Sequence, residues 1–356
     1  MSLMAPTAWM TEDVRPAPPT ELSFVDLFAG AGGFTLGFRR AGMTGQAFAV
    51  EVDPECADTL RLNFPDLKVM EEDVRNADFT SLHADVVVAG PPCQGFSKLN
   101  RYRKDDPRNL LYEEVLRAVA EMQPSIVVTE NVPAFLESQA GRHYIETLEA
   151  SGLTVRHSVI NVADFGVPQR RHRALIIAAR RGLAIPWPAP THATRPGPGR
   201  QRHRTVADAF AMLPTDPTGE NWHRPYEDDR AYANRYRTIP EGGGRKDLPP
   251  DLVLECWKKT DGFSDVFGRL AWNRPATTVR TEFFRAEKGR FLHPSADRPI
   301  TPREAARLQS FPDSFKFPEE QTLQAVARQI GNAMPPRAAE AVGAAILAVV
   351  RSQAAS

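Results

Sequence analysis

The chain is poor in cysteine and has no long apolar segment. Its 356 residues include only Cys56, Cys93 and Cys256, too few for the disulfide framework that stabilises small secreted proteins. The longest apolar run, Ala341 to Val350, is too short to span a bilayer. No basic-then-apolar signal pattern occurs near the start, where residues 1–20 are predicted to form a loose tail. These absences favour a cytoplasmic protein with no membrane partner.

The chain also lacks a net charge, because 44 basic and 44 acidic side chains cancel. The charges are unevenly distributed, however. Residues 170–245 hold 14 arginines, 7 acidic residues and no lysine, a net charge of +7. Such a local excess is typical of a surface that faces phosphates. A disordered linker is the competing interpretation of this proline-rich stretch, but its tryptophans and tyrosines are too many for a solvated tether.

One glycine is missing from an otherwise familiar loop. The strand predicted at 22–27 is followed by the cluster Phe28-Ala29-Gly30-Ala31-Gly32-Gly33-Phe34, which favours close approach of the backbone to a nucleoside ligand. Thr35 stands where the dinucleotide fingerprint needs its third glycine, so a nicotinamide oxidoreductase is poorly supported. The next predicted strand, 46–50, ends in Glu51, an acid that can accept both hydroxyls of a ribose.

A cysteine and a glutamate are predicted to meet at one edge of the sheet. Cys93 follows the apolar strand predicted at 85–89, and Glu130 follows the strand predicted at 125–129. A free cysteine is usually an inert small hydrophobe. Here, Pro91 and Pro92 restrict the backbone before it, while Gly95 loosens the chain after it. The sequence therefore predicts a held thiol facing a crevice that also contains a carboxylate.

The chain resembles the DNA cytosine-5 methyltransferases of bacterial restriction-modification systems, in six motifs that occur in order from Phe24 to Pro335. Two of these are the glycine cluster and the loop around Cys93. The third is Glu130-Asn131-Val132. The others are Gln169-Arg170-Arg171-His172-Arg173, the segment from Arg303 to Pro312, and Gly331-Asn332-Ala333-Met334-Pro335.

The resemblance implies a doubly wound α/β fold, the Rossmann-like domain of S-adenosylmethionine-dependent methyltransferases, with a smaller irregular, mainly β target-recognition domain. We expect the catalytic and cofactor-binding domain at 21–185 and the recognition domain at 186–290. An inter-domain segment at 291–319 would carry the late motif. Residues 320–356 would form a C-terminal helix that completes the catalytic domain.

The resemblance also implies a reaction, transfer of a methyl group from S-adenosylmethionine to carbon 5 of a flipped cytosine in double-stranded DNA. Cys93 would add to carbon 6, Glu130 would stabilise the charge at ring N3, and Arg173 would bind the cytosine O2 with Arg171 beside the pocket. The cofactor-binding residues implied are Phe28, Ala29, Gly30, Gly32, Gly33, Phe34, Glu51, Val52, Asp73, Val74, Pro91, Asn332 and Ala333. Asp73 has a competing interpretation as a helix cap. No metal is implied.

The DNA-contacting residues implied are Ser97, Arg101, Arg108, Gln169, Arg170 and Thr278. Residues 97–109 are polar and basic, and we expect them to close over the DNA backbone as a lid. A surface loop with incidental charge is the alternative. The abundance of arginine in the insert favours a G·C-rich target.

Two other functions share this motif set. A tRNA cytosine-5 methyltransferase is possible in principle, but the insert of about a hundred residues suits a reader of DNA sequence better than a reader of folded RNA. A non-catalytic DNA-binding regulator would be expected to lose Cys93, Glu130 or the glycine loop, and all are present. A monomer is expected, with association to the nucleoid and a cognate restriction endonuclease in the same system.

Overall fold

The computed structural model describes residues 20–92, 107–226, 232–253, 255–258 and 265–354. Contacts divide them into two compact units. The first, called here the sheet unit, contains the described residues up to 165, His172–Thr191 and the residues from 334 onward. The second, the insert unit, contains Gly166–Arg171 and the described part of His192–Ala333.

A seven-stranded sheet forms the centre of the sheet unit. Its strands are β1 Phe24–Leu27, β2 Ala47–Val50, β3 Lys68–Met70, β4 Val86–Ala89, β5 Ile126–Asn131, β6 Leu153–Asn161 and β7 His172–Arg180. Their order across the sheet is β3-β2-β1-β4-β5-β7-β6, with β1 to β5 parallel and β7 antiparallel to both neighbours. The chain order reverses between β1 and β4, and ligands of such sheets bind at that point, beyond the carboxyl ends of the strands. The predicted doubly wound fold is confirmed.

Helices alternate with these strands. In chain order the helices are α1 Gly33–Ala41, α2 Pro54–Asn63, α3 Tyr112–Met122, α4 Pro133–Glu137, α5 Gln139–Ala150, α6 Val206–Phe210, α7 Ala233–Thr238, α8 Glu255–Lys258, α9 Pro302–Leu308, α10 Leu323–Asn332 and α11 Pro336–Ala354. The first five and α11 belong to the sheet unit, and the other five to the insert unit. Strands β1, β2, β4 and β5 are buried along their whole length, which explains why they read as continuous apolar runs rather than alternating ones.

Strand β5 extends two residues further than the sequence predicted. Glu130 and Asn131 lie inside it, paired with Leu175 and Ala174 of β7, whereas we expected them to follow the strand. The antiparallel partner β7 supplies ladder hydrogen bonds beyond the point where the apolar run ends. Two polar side chains are thereby fixed by the sheet rather than carried on a loop.

Helix α11 packs tightly against α1. A Cβ atom added to Gly33 would lie 2.1 Å from the Met334 carbonyl oxygen, and one added to Gly37 would lie 2.4 Å from Cβ of Ala339. Any side chain at either glycine would force the two segments apart. The expected single helix over 320–356 is instead two helices, α10 and α11, in different units. Pro335 and Pro336 explain the break, because proline disfavours helical continuation before it.

The insert unit is irregular, and the expected mainly β character is wrong for its described residues. Its named strands are two residues long, His192–Ala193 and Gln201–Arg202, and its helices are short. Frequent prolines withhold the backbone donors that a larger sheet needs. A core that includes Tyr236, Phe267 and Leu292 holds part of this unit together instead.

The division by contacts also differs from the expected boundaries. Residues 291–333, expected as a separate segment and part of the C-terminal helix, group with the insert unit, as does Gly166–Arg171. Hydrogen bonds that join Gln169 with Val279 and with Gln309 account for this grouping. One stretch of the described chain, 323–353, is long enough and apolar enough to cross a membrane. However, 56% of its most apolar segment is buried, and buried core helices can have the same length and composition.

Candidate active site

The glycine loop that follows β1 has a strained backbone conformation. Phe28, Gly30 and Gly32 have φ angles of 60°, 55° and 80°, so three residues in five are left-handed. Glycine adopts this region freely, whereas a phenylalanine there costs about 1–2 kcal/mol. Strain of this kind persists only where the surrounding structure enforces it, and it concentrates at functional sites. Phe28 remains half-buried, so part of its ring surface is available to a ligand.

Glu51 ties the glycine loop to the end of β2. Its Oε2 accepts the Gly30 N–H at 2.7 Å and its Oε1 accepts the Asp53 N–H at 2.9 Å. Burial raises the pKa of this carboxyl, and the two backbone hydrogen bonds oppose the rise. Each carboxylate oxygen can accept a second hydrogen bond. The acid is therefore held in one orientation with acceptor capacity left for a diol.

Three further predicted cofactor residues follow β2 and β3. Val52 is 62% exposed directly after Glu51, although it is apolar. The Asp73 carboxylate caps the 3-10 helix Val74–Asn76 and pairs with the Arg75 guanidinium, and these contacts lower its pKa to about 2. The structure thus contains the capping contacts of the competing interpretation. Val74 is buried, so only its backbone could reach a ligand.

Strands β4 and β5 bring the predicted glutamate next to the segment before Cys93. A Cβ atom added to Gly90 would lie 3.8 Å from Glu130 Oε2. The Asn131 side-chain amide donates to the Pro91 carbonyl oxygen at 3.3 Å. Both contacts join neighbouring parallel strands at their carboxyl ends. Cys93 itself lies outside the described residues, as do Ser97, Arg101 and most of the predicted lid.

Arg173 pairs with Glu130. Its Nε lies 2.6 Å from Glu130 Oε1, at ion-pair distance but without hydrogen-bond geometry. The register of β5 and β7 explains the contact, because Glu130 is opposite Leu175 and Arg173 is two residues further along on the same face. Glu130 is 9% exposed. A carboxylate so buried, with an arginine against one oxygen, retains capacity to bond a ligand.

Gln169, Arg170 and Arg171 of the arginine motif lie in the insert unit. Gln169 is fully buried, with its amide nitrogen donating to Gln309 Oε1 at 2.7 Å and to the Leu308 carbonyl oxygen at 3.3 Å. Its Oε1 accepts the Val279 N–H at 2.8 Å. Gln169 was predicted to contact DNA, but its side-chain donors are used within the insert unit and it has no exposed surface.

Gln309 extends this buried amide chain. Its side-chain nitrogen donates to the Ile330 carbonyl oxygen at 2.6 Å and to that of Ala333 at 3.4 Å. Sequence reasoning placed Gln309 in the late motif but gave it no role. The sequence feature that indicates such a role is a polar amide residue directly after Leu308, the last residue of the buried helix α9. Asn332, at the end of α10, is exposed, and Ala333 is buried.

The remaining predicted residues occupy distinct places. Arg171 is 2% exposed, and its Nη1 donates to the Val279 carbonyl oxygen at 3.1 Å. The Thr278 hydroxyl donates to the Arg170 carbonyl oxygen at 3.0 Å, while the Arg170 side chain is exposed. Arg108 lies half-buried in the 3-10 helix Pro107–Leu110.

Comparison with known proteins decides the family. The family model for C-5 cytosine-specific DNA methylase matches residues 22–348. The chain belongs to this family. This methylase is 36% identical over 343 residues to the Type II methyltransferase M1.HphI of Haemophilus parahaemolyticus, covering 92% of this chain and 87% of that one. It is 34% identical to the Type II methylase M.HgiDII of Herpetosiphon aurantiacus, covering 87% and 91%.

A solved structure agrees with the family. A crystal structure described as a prophage-encoded DNA modification methyltransferase of E. coli has a TM-score of 0.66 and 28% identity, covering 93% of this methylase and 99% of that chain. The activity of the family, methylation of carbon 5 of cytosine in DNA with S-adenosylmethionine as donor, is that of this chain.

The glycine loop and Glu51 fit that cofactor. A Cβ atom at Gly30 would meet no atom within 4 Å, so the loop borders open space there. The donor set is also suitable, because Glu51 keeps acceptor capacity for ribose hydroxyls. Phe28 and Val52 each keep exposed apolar surface, and an adenine ring needs apolar surface to pack against.

Proposed function

We propose that this methylase is the modification enzyme of a Type II restriction-modification system and methylates one specific double-stranded DNA sequence. The names of its relatives support the system, since both M1.HphI and M.HgiDII are Type II enzymes. A cognate restriction endonuclease would then cut the same sequence when it is unmethylated. We further propose that the enzyme acts as a monomer in the cytoplasm, associated with the nucleoid.

Cys93 is the proposed nucleophile. Carbon 5 of cytosine is a poor nucleophile, and addition of a thiolate to carbon 6 activates it. The electron pair of the sulfur forms the S–C6 bond, the C5–C6 π pair becomes the C4–C5 double bond, and the C4–N3 π pair moves onto N3. Glu130 delivers a proton to N3 and so stabilises that charge. The resulting enamine attacks with carbon 5.

S-adenosylmethionine supplies the methyl group to carbon 5. A base, which we propose is a water held near Asn131 or the Cys93 loop, then removes the C5 proton. The C–H pair restores the C5–C6 double bond, the S–C6 bond breaks, and Cys93 leaves as a thiolate. The N3 proton returns to Glu130, so the enzyme ends in its starting state.

The proposal rests on the placement of the Glu130 carboxylate. It lies beside Gly90, three residues before Cys93, and is braced by Arg173 at 2.6 Å. A carboxyl group held there by a strand rather than a loop can meet the N3 of a flipped base with little reorganisation. We propose that Arg173 also donates to the cytosine O2, because a guanidinium has donors beyond the Nε that faces Glu130.

Trapping the covalent intermediate tests this proposal. Duplex DNA with 5-fluorocytosine at the target cannot lose its C5 substituent as a proton, so wild type should form a denaturation-resistant adduct. Cys93→Ser should form none, whereas Cys56→Ser, a control at a buried cysteine, should form it normally. An adduct with Cys93→Ser would refute the nucleophile.

The role of Glu130 needs a separate kinetic test. Glu130→Gln should bind DNA and cofactor but lose about two to four orders of magnitude in kcat, because proton delivery to N3 acts in the transition state. The exposed Glu137→Gln is the matched control. Unchanged turnover in Glu130→Gln would assign that residue to structure alone.

Sequence specificity is the remaining part of the proposal. We propose that the insert unit reads the target and that Arg170 and Thr278 contact DNA, supported by the exposure of Arg170 and the arginine excess nearby. Expression in a host without cytosine methylation, followed by genome-wide mapping, should give one short motif. Methylation of tRNA instead of such a motif would contradict the DNA assignment.

A further inference from the structure

A cavity of about 230 Å³ lies wholly within the insert unit. Three arginines, Arg170, Arg280 and Arg290, line it together with the hydroxyl residues Thr277 and Thr278. Among the described residues that line it, Asp265 is the one acidic side chain, so this described lining carries a formal excess of two positive charges. Concave surfaces of one sign concentrate the field on a ligand of the opposite sign. The chemistry of the lining therefore selects an anion.

One arginine of the cavity is fixed before any ligand arrives. Arg290 Nη1 donates to the carbonyl oxygens of Gly242, Gly243 and Arg269 at 2.9, 2.6 and 3.0 Å. Its Nη2 lies 3.8 Å from Asp265 Oδ1, on a side chain that is 58% exposed. An ion pair that long and that wet contributes little. Arg290 is thus oriented by neutral carbonyl oxygens, and the distant Asp265 carboxylate offsets little of its positive charge.

The opposite wall is fixed through its backbone. The Arg170 N–H donates to the Ala276 carbonyl oxygen at 2.8 Å, and the Arg170 carbonyl oxygen accepts the Thr278 hydroxyl at 3.0 Å. The Oε1 of the buried Gln169 accepts a hydrogen bond from the Val279 N–H. These bonds fix the backbone from which Arg170, Thr277 and Thr278 line the cavity, and the Arg170 side chain forms no hydrogen bond or ion pair with the other described residues.

Arg280 completes the set on an exposed position. Its Nη1 donates a long hydrogen bond of 3.4 Å to the Lys288 carbonyl oxygen, and its side chain is exposed. Arginines from three chain segments thus line one small space. A base edge is read by the planar fork of a single arginine, whereas several converging cations suit the distributed charge of a phosphate.

We propose that this cavity binds one phosphate group of the DNA backbone, an inference that rests on the proposed function. The contact fixes the register of the insert unit on the duplex and carries no sequence information itself. Arg170, Arg280 and Thr277 donate to the non-bridging oxygens, and Arg290 supplies charge from a fixed position. Neither Arg280 nor Arg290 belongs to a motif that the sequence singled out.

The salt dependence of DNA binding tests the proposal. Loss of one phosphate contact should lower the slope of log K against log salt by about 0.9. Arg280→Ala is the main variant because its exposed side chain contributes little to packing, and Arg170→Ala is the second. Between 50 and 200 mM salt, wild type should lose about 3.5-fold more affinity than either variant. Arg142→Ala, an exposed arginine of the sheet unit, is the charge-matched control and should keep the wild-type slope.

Two duplexes, one with the mapped target and one without it, distinguish the outcomes. An equal loss of affinity for both duplexes supports a phosphate site. Loss confined to the target duplex would mean that the arginines read a base, which overturns the proposal, and so would an unchanged slope. Adduct formation with 5-fluorocytosine is measured in parallel on wild type. Failure of that adduct counts against the proposed function, whereas a normal adduct with an unchanged slope in Arg280→Ala counts against the phosphate site alone.

Discussion

Asp26 should make this methylase less stable as the pH rises. The residue lies on β1, directly before the glycine loop, and is 1% exposed. Its Oδ2 accepts the Thr35 hydroxyl at 2.7 Å and the Thr35 N–H at 3.2 Å, in the first turn of α1. Burial raises its pKa to about 7, outweighing the two hydrogen bonds, and the nearby charge of Glu51 adds to the rise.

The sign and size follow from this shift. The ordinary pKa of the unfolded carboxyl is 3.8, so between about pH 4 and 7 the folded state binds more protons than the unfolded state. Stability therefore falls as the pH rises through this window and is level above it. A rise from 3.8 to about 7 corresponds to roughly 4 kcal/mol. Asp26→Asn stays neutral, and its amide oxygen can still accept both bonds from Thr35.

Urea unfolding of the sheet unit at pH 5 and pH 8 measures the effect. Relative to wild type, Asp26→Asn should gain about 3–4 kcal/mol at pH 8 and much less at pH 5. Asp66→Asn, an exposed acid, is the control and should keep the wild-type pH dependence. If Asp26→Asn is no more stable than wild type at pH 8, the pKa of this carboxyl is not raised in the folded state and the reasoning fails.

Three further outcomes are expected. Glu51→Ala should weaken S-adenosylmethionine binding by about 1–3 kcal/mol in calorimetry, because the acid is proposed to accept ribose hydroxyls; wild-type affinity would place the nucleoside elsewhere. Gln169→Leu should lower the unfolding free energy by about 2–4 kcal/mol, because it leaves the buried Val279 N–H and the Gln309 Oε1 unsatisfied, and a loss below 0.5 kcal/mol would contradict that. Arg173→Ala should reduce kcat at least tenfold in single-turnover assays, more than Arg173→Lys, and equal rates would show that the ion pair with Glu130 is dispensable.

Local pattern was sufficient to predict the strands of the sheet and the polar residues at their ends. Apolar runs predicted β1, β2, β4 and β5, because buried parallel strands need apolar side chains on both faces. Local pattern also predicted that Glu51 stands at the end of β2 and that the glycine cluster follows β1. The family, and with it the reaction, could be predicted because short ordered motifs carry the chemistry.

Tertiary structure alone decided which of these residues meet. The pairing of Glu130 with Arg173 depends on the antiparallel register of β7, which no local pattern encodes. The bonds of Gln169 join residues up to 140 positions apart, and they bury a side chain that its motif suggested was at the DNA surface. The arginine cavity likewise gathers 170, 280 and 290 by packing. Sequence fixes local conformation through sterics and hydrophobicity, whereas long-range contacts depend on how whole segments pack, and that is settled only in the folded chain.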